Sequence, residues 1–322
     1  MHEIYDKWPT MAYDSYNSDI EPVNFSKINH IIFSGMGGSG SLGDVFSSIM
    51  SQSNIHVSVV KGYHLPNTID ENTLVITTSI SGNTEETFSV LKSAVKSKYK
   101  IIAFTSGGKI QDFCNNNKID FRQIPMHHSP RASFPGFLYS MIKSLEPIIP
   151  LKQIDVVQSI KELQNTQKLI SSSSLNENNP SLSLAKWISD IPLVYYPWGL
   201  QSAAIRFKNS IQENSKRHIM VEDVVESCHN GIVAWEQNSN LQPILLEGTD
   251  DYFKTKERWE ILKEYFNKQA IEFRIVMSVE GSILSKIINL IYLLDYCSIY
   301  NAVLSKIDPS PIKSIDFIKS KL

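Results

Sequence analysis

The first hundred residues alternate short apolar runs with helical patterns, and this alternation constrains the fold more than any other feature. Four apolar runs have the length of a buried strand: His30–Ser34, Ile55–Val60, Leu74–Thr78 and Ile101–Phe104. Between them, Ser41–Met50 and Glu85–Lys96 have helical spacing, with Phe88, Leu91 and Val95 on one face of the second stretch. Strands that alternate with helices predict crossover connections, and therefore a parallel sheet with helices on both faces.

The same pattern begins again in the second half of the chain. Leu193–Tyr196 predicts a strand, which is followed by Gly199 and a helix over about Gln201–Glu213. Further strands are expected at His218–Val221, Pro243–Glu247 and Glu272–Met277, and further helices at Phe253–Lys268, Ile283–Tyr300 and Lys313–Leu322. Both halves therefore start with a strand, a glycine turn and a helix, which favours two similar α/β domains.

Chain length supports two domains, because 322 residues is about twice a common domain size of ~150 residues. Ile154–Ile170 predicts one long amphipathic helix, and the polar stretch Ser171–Ser181 follows it. We expect a first domain at 1–150, a connecting helix and linker at 151–182, and a second domain at 183–322. In the alternative interpretation, the polar stretch is a surface loop inside one large domain.

Composition excludes several classes of function. The 31 Lys and Arg residues against 33 Asp and Glu residues lack the basic excess that nucleic-acid binding needs. Three separated cysteines argue against a disulfide framework and against a cysteine-based zinc site. Polar residues interrupt the longest apolar segment, 283–304, and the first ten residues do not resemble a signal peptide. We expect a soluble cytoplasmic protein without nucleic-acid or membrane partners.

A glycine-rich turn follows the first predicted strand. Gly35–Gly40 matches the G-x-G-x-x-G dinucleotide pattern, but the second strand ends in Val59-Val60-Lys61, without the acid that would hold a ribose. A nicotinamide cofactor is therefore disfavoured. Glycines at a helix start still let backbone N–H groups approach an anion, so Gly37, Gly38 and Ser39 are candidate phosphate ligands. The alternative is a tight turn without a ligand.

A second candidate turn follows the third predicted strand. Within the segment 79–87, SISGNTEET, Asn83 and Glu86 have the spacing of a capping box. Ser79, Ser81 and Thr84 would place three hydroxyls near the N–H groups of the same helix start. Hydroxyls and amides together suit a phosphate monoester. The alternative is a capped, serine-rich turn with no ligand.

These two turns carry a resemblance to a known family. The S-x-S-G-x-T-x-E motif, preceded by the G-x-G-G-S-G turn, resembles the sugar isomerase (SIS) domain. The segments 204–216, 226–236 and 255–265, with Pro130-Arg131-Ala132, extend the likeness to nearly the whole chain. They resemble the bifunctional phosphoglucose/phosphomannose isomerases, which have two tandem SIS domains. The resemblance implies an α/β fold in which each domain is a flavodoxin-like parallel sheet flanked by helices.

The resemblance also implies an activity. The family interconverts glucose 6-phosphate, mannose 6-phosphate and fructose 6-phosphate, by ring opening and proton transfer through a cis-enediolate. It uses no metal and no cofactor, and its active site is shared between the subunits of a homodimer. The alternative that stays open is a non-catalytic phosphosugar-binding SIS protein. The isomerase half of glucosamine-6-phosphate synthase and an oxidoreductase are disfavoured.

Four catalytic positions are implied by the resemblance, and each alone is an ordinary residue for a soluble protein. They are Glu213 as the base at C1 and C2, His229 for ring opening, Arg131 beside the enediolate, and Lys319 as a ring-opening aid. Lys313 and Lys306 compete with Lys319 for the last role. Carboxylate, imidazole and guanidinium groups suit these tasks because of their pKa values and charges.

One position departs from the family pattern. The family usually carries an acid directly after the His-Asn pair, whereas this chain has Gly231 after Asn230. An acid that only supports the loop could be lost without consequence. An acid that orients His229 could not, and activity or substrate balance would then change.

Overall fold

The computed structural model describes residues 1–97 and 99–321. The chain forms two compact units, which we name by their sheets. The first-sheet unit contains Asp6–Lys161 and Ser282–Ser285. The second-sheet unit contains Met1–Tyr5, Glu162–Gly281 and Lys286–Leu322. The polar stretch Ser171–Ser181 thus lies within the second-sheet unit.

The first sheet has five parallel strands in the order β2-β1-β3-β4-β5. They are β1 (His30–Ser34), β2 (His56–Val60), β3 (Thr73–Ser79), β4 (Lys100–Thr105) and β5 (Phe121–Gln123). The helices of this half of the chain are α1 (His2–Asp6), α2 (Trp8–Tyr16), α3 (Gly37–Met50), α4 (Glu85–Lys96), α5 (Gly108–Asn117), α6 (Phe134–Leu145) and α7 (Gln153–Ile170). This strand order is the flavodoxin-like one, so the predicted fold class is confirmed.

Burial explains which strands of the first sheet the sequence could predict. Every residue of β1 and β3 is buried, as expected of central strands in a sheet covered on both faces. The short edge strand β5 was not predicted, because its three residues, Phe-Arg-Gln, form no apolar run. Its pairing with β4 is set by the fold around it.

The second sheet has four parallel strands in the order β7-β6-β8-β9. They are β6 (Ile191–Tyr196), β7 (Met220–Asp223), β8 (Leu241–Glu247) and β9 (Arg274–Met277). The helices are α8 (Pro180–Trp187), α9 (Gln201–Ser210), α10 (Val224–Ser227), α11 (Phe253–Lys268), α12 (Ile283–Leu304) and α13 (Lys313–Lys319), with a π-helical turn at Ile211–Ser215 and a 3-10 helix at Gly231–Glu236. An aromatic and aliphatic core that includes Tyr195, Trp235, Leu245, Trp259 and Phe266 packs beside this sheet.

Some predicted boundaries in this half need correction. The predicted strand His218–Val221 lies two residues later, as β7, and the predicted helix Gln201–Glu213 ends as an α-helix at Ser210. Its last predicted residues form the π-helical turn. The final helix, predicted to continue to residue 322, ends at Lys319, and its last predicted residue lies outside the described part of the chain.

The helix α12 is long and apolar enough to cross a membrane, with a mean hydropathy of 1.5 over its most apolar window. That window is 83% buried inside the protein, as in the core helix of a soluble protein.

Candidate active site

The first sheet brings the two phosphate-turn candidates to the same edge. The strands β1 and β3 are neighbours, and Ser34 is in register with Thr77 near their carboxyl ends. After β1 the chain crosses to β2, which lies on one side of the β1–β3 pair. After β3 it crosses to β4, which lies on the opposite side. Open α/β sheets bind ligands at such a switch point, outside the carboxyl ends of the strands.

The first turn opens α3 earlier than the sequence predicted. This helix begins at Gly37, whose φ of 52° lies in the left-handed region, so Gly38 and Ser39 belong to its first turn. No side chain caps this end of the helix. Its first backbone hydrogen bonds are donated by Ser39 and Gly40 to the carbonyl of Met36. The N–H groups of Gly37 and Gly38 therefore precede the helical ladder, where an anion can accept from them.

The second turn is joined to the first by a hydrogen bond. The N–H of Ile80 donates to Ser39 Oγ at 3.1 Å, and Ser79 Oγ lies 2.9 Å from Thr84 Oγ1. Gly82 has a φ of 72°, and a Cβ there would lie 1.8 Å from the carbonyl oxygen of Gly107. The turn is thus held in one conformation, with its hydroxyl groups gathered next to the start of α3 and α4.

The predicted capping box in this turn was wrong. Thr84, not Asn83, is the N-cap of α4, and its side chain makes no capping hydrogen bond. The Asn83 amide instead donates to the carbonyl of Ser81 at 3.0 Å and accepts from the N–H of Lys109 at 3.1 Å. The Thr84 hydroxyl is hydrogen-bonded to Ser79 and not to the N–H groups of α4. The N-cap side chain therefore does not accept from the first N–H groups of this helix.

Acidic residues near these turns are neutralised by lysines. Glu85 begins α4 and pairs with Lys109 at 2.5 Å, which lowers the pKa of that carboxyl through a hydrogen bond and the lysine's charge. On α3, Asp44 pairs with Lys61 at 2.6 Å. The Glu85–Lys109 pair reduces the repulsion that a bound anion would otherwise meet at the start of α4.

Arg131 lies in the segment that follows the carboxyl end of β5 and precedes α6. Arg131 is only 4% exposed. The next carbonyl, of Ala132, accepts from Trp8 Nε1 at 2.9 Å, and Ser133 Oγ accepts from the N–H of His127 at 2.7 Å. A buried guanidinium on a pinned turn supplies a fixed positive charge.

Glu213 lies in the π-helical turn that ends the helix begun by α9. Its neighbours are buried and bound to α12: Asn214 Nδ2 donates to Ser298 Oγ at 2.8 Å, and Ser215 Oγ donates to the carbonyl of Ser298 at 2.8 Å. The Glu213 side chain itself is half-buried. Single π-helical turns recur at functional sites, because they change the direction of one side chain within a helix.

A buried ion pair lies along the same helix. Arg206 Nη2 and Asp295 Oδ2 are 2.7 Å apart, and both side chains are almost fully buried. Burial alone would lower the pKa of Arg206, but the carboxylate of Asp295, assisted by Tyr5 and Glu213, raises it above its usual value. Arg206 is therefore a permanent cation that interacts electrostatically with Glu213.

His229 is exposed, in the turn between α10 and the 3-10 helix. Its backbone N–H donates to the carbonyl of Glu226 at 2.9 Å, and Asn230 Nδ2 donates to Glu226 Oε1 at 2.9 Å. Asp223 caps the preceding helix by accepting from the N–H groups of Val225 and Glu226. The turn is ordered by these bonds, while the imidazole is left accessible.

Lys319 is exposed on α13. Within residues 1–97 and 99–321, its side chain makes no hydrogen bond or ion pair. The competing Lys313 and Lys306 are also exposed. The loop before α13 is anchored to the π-helical turn, since Lys216 Nζ donates to the carbonyl of Pro311 at 2.8 Å. The structure does not choose among the three lysines.

Comparisons with known proteins identify the family. Residues 177–322 match the family model for the bacterial phospho-glucose isomerase C-terminal SIS domain, and residues 24–138 match the SIS domain. A bifunctional phosphoglucose/phosphomannose isomerase from Caldicellulosiruptor bescii is 33% identical, over 93% of this chain and 91% of that protein. The chain belongs to the bifunctional phosphoglucose/phosphomannose isomerase family.

Other relatives extend this result. A family member from Aquifex aeolicus is 29% identical, over 100% of this chain and 99% of its own length. A hypothetical protein from Thermus thermophilus has the same fold, with a TM-score of 0.77 at 12% identity, covering 98% of this chain and 89% of that one. The predicted family is thereby confirmed.

Sequence reasoning on this family member missed the charged residues that support the candidate site. Arg206 and Asp295 are 89 positions apart, so no local pattern pairs them. Glu222, on β7, lies against the Gly231 turn and was not singled out either. The two adjacent acids Glu222-Asp223, directly after the predicted strand His218–Val221, are the local signal for it. The described residues contain no group of three or more His, Cys, Asp or Glu side chains placed to hold a metal.

Proposed function

We propose that this chain interconverts glucose 6-phosphate and mannose 6-phosphate with fructose 6-phosphate. The reaction is an aldose–ketose isomerisation by metal-free proton transfer through a cis-enediolate. One observation supports it most strongly. The two glycine- and hydroxyl-containing turns flank the switch point of the first sheet, joined through Ser39 and Ile80, in a chain related over nearly its full length to such isomerases.

The phosphate group of the substrate is held by the first-sheet unit. Its proposed ligands are Gly37, Gly38, Ser39, Ser79, Ser81 and Thr84. Backbone N–H groups and hydroxyls hold a dianion without a lysine clamp, so the product leaves as readily as the substrate enters. Ser39 Oγ accepts from Ile80, and its own hydrogen is then available to a phosphate oxygen.

Proton transfer is assigned to Glu213. Its carboxylate removes a proton from C2 of the aldose, or from C1 of the ketose, and returns it to the other carbon, while the remaining enediol proton passes between O2 and O1. The intermediate carries negative charge on its enediol oxygens, and Arg131 stabilises that charge as a permanent cation. Because both steps need only a base and a fixed cation, the proposed chemistry uses no metal and no cofactor.

Ring opening is assigned to His229, with Lys319 as its aid. Histidine can move a proton between the ring oxygen and O1 near neutral pH. In the proposed homodimer the active site is shared between subunits, with His229 supplied by the other subunit. We also propose a cytoplasmic location, and the domain division 1–150, 151–182 and 183–322 for the sequence.

The test is a coupled assay of fructose 6-phosphate formation from each aldose phosphate, with a chelator present. Wild type is compared with Glu213→Gln and with the control Glu236→Gln, a change at an exposed carboxylate of the same unit. We expect turnover of both sugars in wild type and in the control, and a loss of about 10²-fold or more in Glu213→Gln.

Other outcomes of this assay discriminate the alternatives. Turnover of glucose 6-phosphate alone would keep the mechanism and narrow the substrate. No turnover, with a phosphosugar still raising the melting temperature, would make the chain a non-catalytic phosphosugar-binding protein. Full activity in Glu213→Gln would refute the assignment of the base.

A further inference from the structure

Gly231 follows the His229–Asn230 pair, and its backbone does not explain why a glycine is there. It is absent from the residues with positive φ among those the structure describes, so any side chain could adopt its conformation. A side chain at this position would meet neighbouring side chains. A Cβ on Gly231 would lie 2.7 Å from Glu222 Oε2 and 2.9 Å from Ser227 Oγ. The volume next to this turn, where a side chain of residue 231 would begin, is occupied by the carboxylate of Glu222.

The strand β7 fixes the position of Glu222. The residue is half-buried and is in register with Tyr195 of the neighbouring strand β6. The next residue, Asp223, ends the strand and caps α10, accepting from the N–H of Val225 at 2.8 Å. The Glu222 backbone is therefore held on both sides, by the sheet before it and by the helix cap after it.

The turn itself is fastened to the same part of the sheet. Trp235 Nε1, in the 3-10 helix that begins at Gly231, donates to the hydroxyl of Tyr195 at 2.9 Å. Burial raises the pKa of Tyr195 to about 12, with hydrogen bonds from Trp235 and Ser227 acting against it and the charge of Glu222 contributing to the rise. Tyr195 is thus a neutral phenol that is influenced by the charge of Glu222. It links β6 to the 3-10 helix through its hydrogen bond with Trp235.

We propose that Glu222 is a positioning residue for His229. Its carboxylate supports the Cys228–Gly231 turn from outside, in place of an acid at position 231 within the turn. This assignment rests on the proposed function, in which His229 opens the sugar ring. We expect a carboxylate held beside the turn to keep its backbone in the path that presents His229. Gly231, which has no side chain, leaves room for the Glu222 carboxylate.

The first experiment removes the carboxylate. In Glu222→Ala, we expect kcat for isomerisation of glucose 6-phosphate to fall about tenfold or more while KM stays within about twofold, because the turn loses its support and the phosphate site does not. Glu236→Ala, at the exposed far end of the same 3-10 helix, is the matched control and should leave kcat unchanged. Glu222→Gln keeps the shape of the side chain, and its kcat should fall less than that of Glu222→Ala.

The second experiment moves the carboxylate. Glu222→Ala/Gly231→Glu puts an acid back into the turn and opens the space for it, and we expect it to recover most of the lost kcat. Gly231→Glu alone forces two carboxylates into one volume and should be slower than wild type. Gly231→Ala, which disturbs Glu222 without removing it, should lower kcat severalfold and provides the test if Glu222→Ala does not fold.

The third measurement separates ring opening from proton transfer. Exchange between the two anomers of glucose 6-phosphate is followed by NMR in the Glu213→Gln background, where isomerisation is blocked. Adding Glu222→Ala should slow the catalysed exchange about tenfold, as expected for a residue that acts through His229. A residue that merely stabilises the fold would change the melting temperature and leave this exchange rate unaltered.

Several results would overturn the proposal. In an active wild type, a kcat for Glu222→Ala within twofold of wild type would do so. So would a Glu222→Ala/Gly231→Glu protein no faster than Glu222→Ala, or unchanged anomer exchange. An inactive wild type would instead refute the proposed function.

Discussion

The buried pair of Arg206 and Asp295 gives the sharpest prediction about stability. Asp295 is fully buried and accepts from three donors on two other segments: Arg206, Ser210 and the hydroxyl of Tyr5. Asp295→Ala removes the carboxylate that pairs with Arg206, a residue that is 1% exposed.

The cost follows from the asymmetry of buried charges. Breaking a buried ion pair by removing one partner typically costs about 3–5 kcal/mol, because the remaining charge is uncompensated. That is a large part of a total stability of about 5–15 kcal/mol. The exposed pair Lys254–Glu257, 2.7 Å apart with side chains 60% and 54% exposed, is the matched control, and Glu257→Ala should cost at most about 1 kcal/mol.

Urea unfolding followed by tryptophan fluorescence is the assay. Four of the five tryptophans, Trp187, Trp198, Trp235 and Trp259, belong to the second-sheet unit that contains the pair, so the signal reports on that unit. Arg206→Met/Asp295→Leu should recover most of the loss, because an apolar pair of similar volume replaces a buried ion pair at little cost. A loss in Asp295→Ala no larger than that in Glu257→Ala would refute the reasoning.

Three further predictions concern single sites. Gly82→Ala should lower the urea midpoint and weaken phosphosugar affinity measured by calorimetry, because the new Cβ meets a carbonyl at 1.8 Å and a φ of 72° costs an alanine about 1–2 kcal/mol. A thiol reagent at pH 8 should label the native protein only at Cys228 by peptide mapping, because the other two thiols are buried, and burial raises the pKa of Cys114 to about 11. Burial also raises the pKa of Glu247 despite its partner Lys263, so the ionised form opposes folding. Glu247→Gln should therefore raise the urea midpoint at pH 7, with the gain vanishing below about pH 4; a lower midpoint at pH 7 would show that the ion pair outweighs burial.

The parts of the fold that follow from local pattern could be predicted from the sequence. The strands β1 and β3 are continuous apolar runs because helices cover both faces of the sheet, and such runs are visible without a structure. The edge strand β5 and the true N-cap of α4 could not be predicted in this way. In both cases a tertiary contact decides: pairing with β4 for the strand, and a bond to Ser79 that keeps Thr84 from capping its own helix.

Only the local motifs of the candidate site could likewise be predicted from the sequence. Its two turns are local motifs that follow predicted strands, and the strand order brings them to the same edge of the first sheet. The groups around Glu213 and His229 are set by distant residues. Asp295 pairs with Arg206, which is 89 positions away in the sequence. Glu222 lies beside Gly231 because β7 and the following turn pack against each other. The roles of Glu213, His229, Arg131 and Lys319 stay predictions that the mutants above test.

The two sheets have equivalent strand orders but different chemistry at their switch points. The order β7-β6-β8-β9 repeats β2-β1-β3-β4 strand for strand. Where β3 is followed by serines, a glycine and a threonine, β8 ends in Glu247 and is followed by Asp250 and Asp251. Asp251 Oδ2 accepts from the N–H of Gly248 at 2.9 Å, so the turn satisfies its own donor.

Because Asp251 already accepts from the N–H of Gly248, this turn offers a phosphate fewer free donors than the first-sheet turns do. Duplicated topology therefore does not imply two phosphosugar sites in one chain. The first sheet has the neutral donors that a phosphate needs, and the second-sheet unit has Glu213 on a π-helical turn and His229 on an ordered, exposed turn. Function in this chain is assigned by the residues that follow each strand, and the shared strand order only decides where those residues lie.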